Sequence, residues 1–284
     1  MRTKTWLGTI LLVLWPVMAQ AQDQHESLVQ ELYVKSGLAK QIQEVPRSIQ
    51  AGLDQPLLEA QQFPQPSPRV IALMKALAPE AFAPEKLKAV VLPELKTGLT
   101  TPDLQAVLKW LDSPLGIKCT RLEEEASTPE AYPEIDKYAA QLKKSPPTPE
   151  RLKIIQKLDA ALKASQTTVE MALNLQVALL LAVNATLPKE RQQSPAEILG
   201  EIKQHRPEFE AALQVESLVS LIYTYRSLTE AEINQYIKFA TSSAGSKYQE
   251  VADAAVKKAL IAGGIRWGEA IGEAMKQLEG QTEA

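Results

Sequence analysis

A repeat inside the chain constrains its fold more than any other feature. The stretch LTTPDLQAVLKWLDSPLGIKCTRLEEEA, Leu99 to Ala126, aligns without gaps with LTEAEINQYIKFATSSAGSKYQEVADAA, Leu228 to Ala255. Of 28 positions 7 are identical and another 7 are close replacements, among them Trp110 with Phe239 and Leu108 with Ile237. Upstream the match continues with small shifts: LVQEL from Leu28 parallels IIQKL from Ile154, Ser67-Pro68 parallels Ser194-Pro195, and Pro79-Glu80 parallels Pro207-Glu208. A period of this length means that one supersecondary unit is used twice and must bury the same kind of face twice.

The hydrophobic period within each unit is helical. Leu104, Val107, Leu108 and Leu111, then Leu115, Cys119, Leu122 and Ala126, recur at three- and four-residue spacing, as the buried stripe of an amphipathic helix does. Prolines gather in the connections (FPQPSP, KKSPPTP, TLPKERQQSP) and no Asn-Gly or Asp-Gly hairpin signal separates alternating segments. The expectation is an all-α fold of two tandem helical units, about five helices each. The boundaries read as residues 1–21 for a signal peptide, 22–126 for the first unit, 127–149 for a proline-rich linker with one helix from Pro133 to about Lys144, and 150–284 for the second unit.

The repeated stretch reads as a joint between two helices. Thr100 with Asp103, and Thr229 with Glu232, have the spacing of a capping box. Pro102 suits an early helical turn. The helix then ends near Leu111 or Thr241, and Ser113 or Ser242 caps the next one, with Pro114 at its first position in the first unit only. Gly116 and Gly245 fall in the first turn of that second helix, where glycine costs up to about 1 kcal/mol relative to alanine, so another backbone is expected close by. Lys118 and Lys247 follow two residues later. A phosphate loop is excluded by order: it needs a preceding strand, two glycines five apart, and lysine directly after the second.

The motif Leu228-Thr-x-x-Glu232-Ile233 followed by YIKFATSSAGSKY resembles the DUF2059 family of bacterial exported helical proteins. Leu99-Thr100, Trp110, Ser113-Pro114 and Gly116-x-Lys118 resemble a second, more divergent example. The second unit departs from the family pattern in carrying Ser243 where proline is usual. The resemblance implies an all-α fold and export, and no chemistry. Within it Trp110, Ser113, Pro114, Gly116, Lys118, Phe239, Ser242, Gly245 and Lys247 are expected to be structural.

The first residues agree with export. Arg2 and Lys4 precede an apolar run from Trp6 to Val17, and Ala19-Gln20-Ala21 follows, the pattern of a signal peptide cut after Ala21. A periplasmic protein is expected, with no membrane span in the mature chain because that run is short of the ~20 residues a bilayer requires. Removing those residues leaves 29 basic against 34 acidic side chains without a basic cluster, which argues against nucleic acid. Cys119 is the only cysteine, so stability must come from core burial.

Nothing points to a catalytic residue, a cofactor or a metal. His25 and His205 do not occupy matching places, and no third ligand stands near either. Cys119 falls on an apolar stripe with no histidine near in sequence, and Glu123-Glu124-Glu125 reads as a solvated helix face. VALLLAV, Val177 to Val183, reads as a central core helix within an element starting near Lys153. The last helix carries a stripe of Val256, Leu260, Gly263, Trp267, Ile271, Met275 and Leu278, with Gly264, Gly268 and Gly272 beside it. Those glycines call for a close neighbour, in the first unit or in a second chain of a homodimer, or for a break at Gly263-Gly264.

These readings leave three functions to weigh. An interaction module for an envelope protein predicts an exposed patch around Tyr223, Tyr225 and Tyr236. A carrier of an apolar small molecule predicts a cavity between helices. An enzyme predicts acids with shifted pKa converging in a cleft.

Overall fold

The computed structural model describes residues 11–53, 68–185 and 192–280. These residues are all-α: twelve helices and one 3-10 turn, without a strand among them. The first unit follows on from within α1 (Leu11–Lys35), which begins inside the segment expected as a signal peptide, and supplies α2 (Leu38–Gly52), α3 (Pro68–Ala81), α4 (Pro84–Gly98), α5 (Thr101–Leu111) and α6 (Pro114–Ala126). The connection holds the 3-10 turn Pro129–Ala131 and α7 (Tyr132–Lys144). The second unit supplies α8 (Pro149–Leu162), α9 (Ala164–Ala185), α10 (Pro195–Thr224), α11 (Glu230–Ala240) and α12 (Ser243–Gly280).

Local chemistry sets most of these boundaries. Thr148, Ser194 and Thr229 each accept a backbone N–H three residues on, and each is followed by Pro149, Pro195 or an acid that suits the first turn. Gly37 and Lys163 stand at matching places in the two units and are the two residues with positive φ, 80° and 53°, among those described. In both units the chain thereby turns from its first helix into its second. At the second of these turns Asp159 accepts hydrogen bonds from Ser165 N and Oγ, each 2.8 Å. This turn divides the element expected to run on from Lys153. Of VALLLAV, only the Val177 side chain is among those described; it packs beside Val169 and Leu173, and the remaining side chains of the run lie outside the described residues. Pro207 sits inside α10. Its absent N–H costs one bond of a helix long enough to be held by its other turns.

The two cores do not follow the division of the chain. The first gathers Leu32, Ile42, Met74, Leu87, Leu95 and Leu104 from α1 to α5 around Ala252, Ala255, Ala259, Trp267 and Ile271 of α12. The second gathers Ile154, Ile155 and Leu158 of α8, Leu221 and Ile222 of α10, and Ile233 of α11 around Leu115, Cys119 and Leu122 of α6. Each unit therefore sends its last helix into the core of the other. Boundaries at residues 126 and 150 mark units of sequence, and the hydrophobic cores cross them.

The seam of α12 also differs from the expected stripe. Its fully buried line is Ala252, Ala255, Ala259, Trp267 and Ile271, with Val256, Leu260 and Met275 only partly buried at its edge. Small side chains let α12 lie close to α4: a Cβ on Gly98 would stand 2.5 Å from Val251. The glycine that answers the demand for a close neighbour is Gly263, whose Cβ would meet the Phe82 ring at 2.5 Å. Gly264 is buried and Gly268 half-buried, while a Cβ on Gly272 would meet nothing within 4 Å. The expected face Gly264-Gly268-Gly272 is therefore not a continuous contact surface, and α12 packs against α3, α4 and α5 of the first unit of the same chain and against α9 of its own. The helix stays unbroken through Gly263-Gly264 because Trp267 anchors it one turn later. Its Nε1 donates to Met74 O at 3.0 Å and its ring meets Phe82 edge-on.

Candidate functional site

The repeated motif forms the joint between the units, with the same bonds on both sides. Thr100 and Asp103, and Thr229 and Glu232, complete reciprocal capping boxes. Ser113 Oγ donates to Trp110 O at 2.6 Å and accepts from Gly116 N at 3.0 Å; Ser242 Oγ donates to Phe239 O at 2.6 Å and accepts from Gly245 N at 3.1 Å. A Cβ on Gly116 would lie 2.1 Å from Trp110 O, and one on Gly245 would lie 2.1 Å from Phe239 O. The backbone expected near these glycines is thus the end of the preceding helix. Pro114 occupies the first turn of α6 and is exposed.

The lysines cross between the units. Lys118 donates to Glu232 at 2.7 Å and Lys247 donates to Asp103 at 2.5 Å, so each binds the capping acid of the opposite unit. The Lys247 ammonium and then Thr100 hold the Asp103 pKa down at about 2. Lys118, followed by the Thr229 backbone N–H, does the same for Glu232, also to about 2. Between these bridges Trp110 and Phe239 stack at 4.5 Å with planes 8° apart, and both rings touch both cores. All nine motif residues lie in this joint. His25 does a comparable job: its ring nitrogens meet Lys96 O and Thr101 Oγ1, each at 3.0 Å. Arg151, at the matching place in the second unit, donates to Tyr225 O and Leu228 O. The His205 side chain lies outside the described residues.

Beside the joint a cleft of about 370 Å³ opens between the units. Its wall includes the Trp110 and Phe239 rings, Tyr225, Tyr236 and Tyr248, and two acids, Glu123 and Asp253. Glu123 was expected on a solvated face. Instead its Oε1 accepts from Tyr225 at 2.8 Å and from Tyr236 at 2.7 Å. Glu123 as a whole residue is half-buried. Its carboxyl is nonetheless withdrawn from water enough that burial raises its pKa, outweighing the two hydroxyls that lower it. Asp253 accepts from Thr167 at 3.1 Å and Gln249 at 3.3 Å, and burial raises its pKa as well. Cys119 also lines the cleft, where burial pushes its thiol up to about 12, too high for a nucleophile.

The Glu123 group has no counterpart in the other unit. In the alignment Glu123 stands opposite Ala252, Tyr225 opposite Lys96, and Tyr236 opposite Val107. A near-symmetric joint thus carries an asymmetric polar cluster on one side. The sequence did hold one signal for it, since Glu123 follows Cys119 by four residues and so lies beside the apolar stripe of α6. Its tyrosine donors, about a hundred residues away, had no local signal. Tyr223, Tyr225 and Tyr236, expected to form an exposed patch, are 8%, 2% and 8% exposed. They were misplaced because a tyrosine ring on a helix is amphipathic, and here each ring is buried while its hydroxyl finds a carboxylate: exposed Glu134 for Tyr223, half-buried Glu123 for the other two.

No protein-family model, curated protein or solved structure matches this chain. Among the described residues no group of three His, Cys, Asp or Glu side chains could hold a metal ion, and no helix is long and apolar enough to cross a membrane.

Proposed function

We propose that the protein is an exported periplasmic binding protein that holds a small molecule in the cleft between its two units. The observation that carries this reading is the cleft itself, about 370 Å³, walled by aromatic rings and by a Glu123–Tyr225–Tyr236 cluster without a counterpart in the other unit. Ligand sites of this size are concave, largely aromatic or apolar, and equipped with a few placed polar groups. The Arg2–Lys4 start, the apolar run and Ala19-Gln20-Ala21 support export. Resemblance of the joint to the DUF2059 motif supports a compartment, and adds no activity. A ligand that is apolar throughout fits less well than an amphipathic one, because the wall carries two carboxyl groups. The interaction-module reading loses the surface it relied on, since all three tyrosines are buried.

Native mass spectrometry of the chain from residue 22 onward, purified from a periplasmic extract, tests the proposal. A reproducible added mass is expected, and Thr168→Trp, which fills the cleft from an exposed lining position, should remove it. A bare chain in both forms, with no small molecule taken up on incubation with the same extract, overturns it.

A further inference from the structure

The cleft's charge is one-sided. Its lining includes Glu123 and Asp253 but no lysine, arginine or histidine. Of the lysines near it, Lys118 binds Glu232 and Lys257 binds Glu170, while Lys163 acts on Asp253 from outside the lining. An anionic ligand would therefore meet two acids without a partner.

Acceptors stand unused. Both tyrosine hydroxyls fall on Glu123 Oε1, and no donor among the described residues bonds Oε2. Ser36, 8% exposed and part of the lining, has an Oγ without a hydrogen bond of normal geometry, beside the Tyr248 hydroxyl. A buried polar group left unpaired is costly, so a native site that contains one calls for a partner. A ligand N–H would satisfy Ser36 Oγ and Glu123 Oε2, whereas an apolar ligand would strand both.

The walls fit the same chemistry. Trp110, Tyr225, Tyr236, Phe239 and Tyr248 all border the cleft, so an apolar or aromatic body meets ring surface there while its charged group meets a carboxylate, a contact that weakens for a neutral isostere.

Resting on the binding function proposed above, we infer that the ligand is a compact organic cation, an ammonium-type group on an apolar or aromatic body, with Glu123 and Asp253 as its counter-charges. Glu123 is the selective element, since it belongs to the cluster that breaks the repeat's symmetry.

The test uses the chain from residue 22 onward in isothermal titrations with benzylammonium, benzyltrimethylammonium and putrescine as cation probes. Benzyl alcohol and benzoate serve as neutral and anionic probes of the same frame. At least one cation is expected to bind about tenfold or more tightly than benzyl alcohol, the margin of one charge-assisted contact. Glu123→Gln keeps the tyrosine acceptor and should bring that ratio close to one. Asp253→Asn, on a different helix, should shrink the same ratio and serves if the first variant does not fold. Benzyl alcohol or benzoate binding as tightly as every cation overturns the inference and leaves the cleft a binding site. Absence of binding by all five probes also overturns it, and a periplasmic added mass still removed by Thr168→Trp would show that the function proposed above survives.

Discussion

Replacing Gly245 by alanine tests whether the repeated motif is a tightly built joint. An ideal Cβ there would lie 2.1 Å from Phe239 O and 2.9 Å from Phe239 C. Ordinary carbon–oxygen approaches are about 3.3 Å or more, so the contact is short by roughly 1 Å. The oxygen cannot simply retreat, because it accepts from Ser242 N at 2.9 Å and from Ser242 Oγ at 2.6 Å. Alanine brings up to about 1 kcal/mol of helix propensity and a comparable, overlapping gain from a stiffer unfolded chain. Overpacking against backbone costs about 1–3 kcal/mol or more, and it must also reopen the angle between α11 and α12. The net expectation is destabilisation by about 1–2 kcal/mol. Gly272→Ala supplies the control, since its Cβ would meet nothing within 4 Å, and it should stabilise by about 0.5–1 kcal/mol. Urea unfolding followed by circular dichroism at 222 nm measures both, with unchanged slope and a shifted midpoint. Gly116→Ala should behave like Gly245→Ala. Equal stabilisation by all three substitutions would refute the reasoning.

The crossed ion pairs predict an acid limb. The pKa values of Asp103 and Glu232 fall to about 2 from ordinary values of 3.8 and 4.5. Their contribution is therefore complete above about pH 5 and is lost as pH falls towards 2. Lys118→Met with Lys247→Met should flatten that limb in thermal melts recorded from pH 6 to 3. Trp110→Ala should cost about 3 kcal/mol, the lower end for a large aromatic because the ring is half-buried, whereas Trp110→Phe should keep most of the stack in the same melts. Glu123→Gln should leave stability at pH 7 unchanged or raised, because a buried ionisable carboxyl becomes a neutral acceptor for Tyr225 and Tyr236. Tyr236→Phe, by removing one of its two donors, should cost about 1–3 kcal/mol in urea unfolding.

Much of the fold was legible because its signals are local. Periodicity shows the helices, Thr100-Asp103 and Thr229-Glu232 mark their starts, and the two-residue offset from Gly116 to Lys118 and Gly245 to Lys247 marks the joint. The direction in which each second helix leaves the joint is set by which core gains more, and no local pattern encodes that. Hence the sequence left open which core α6 and α12 join, and the expected seam of α12 was displaced towards larger residues. Ala252, Ala255 and Ala259 give a weak apolar signal, yet their small size lets α12 pack closely at Gly98 and Phe82. Glu123 was misread because its tyrosine donors lie more than a hundred residues away. Three consecutive glutamates look solvated until such donors are in place.

Exchange of α6 and α12 between the cores is tested most directly by splitting the chain in the proline-rich segment, giving residues 22–145 and 146–284. Size-exclusion chromatography with light scattering would read the mass of each piece alone and of the equimolar mixture. The first piece lacks Ala255, Ala259, Trp267 and Ile271 from its core, and the second lacks Leu115, Cys119 and Leu122. Neither is expected to elute as a compact monomer, and the mixture is expected to form a one-to-one complex. Two compact monomers that ignore each other would contradict the exchange.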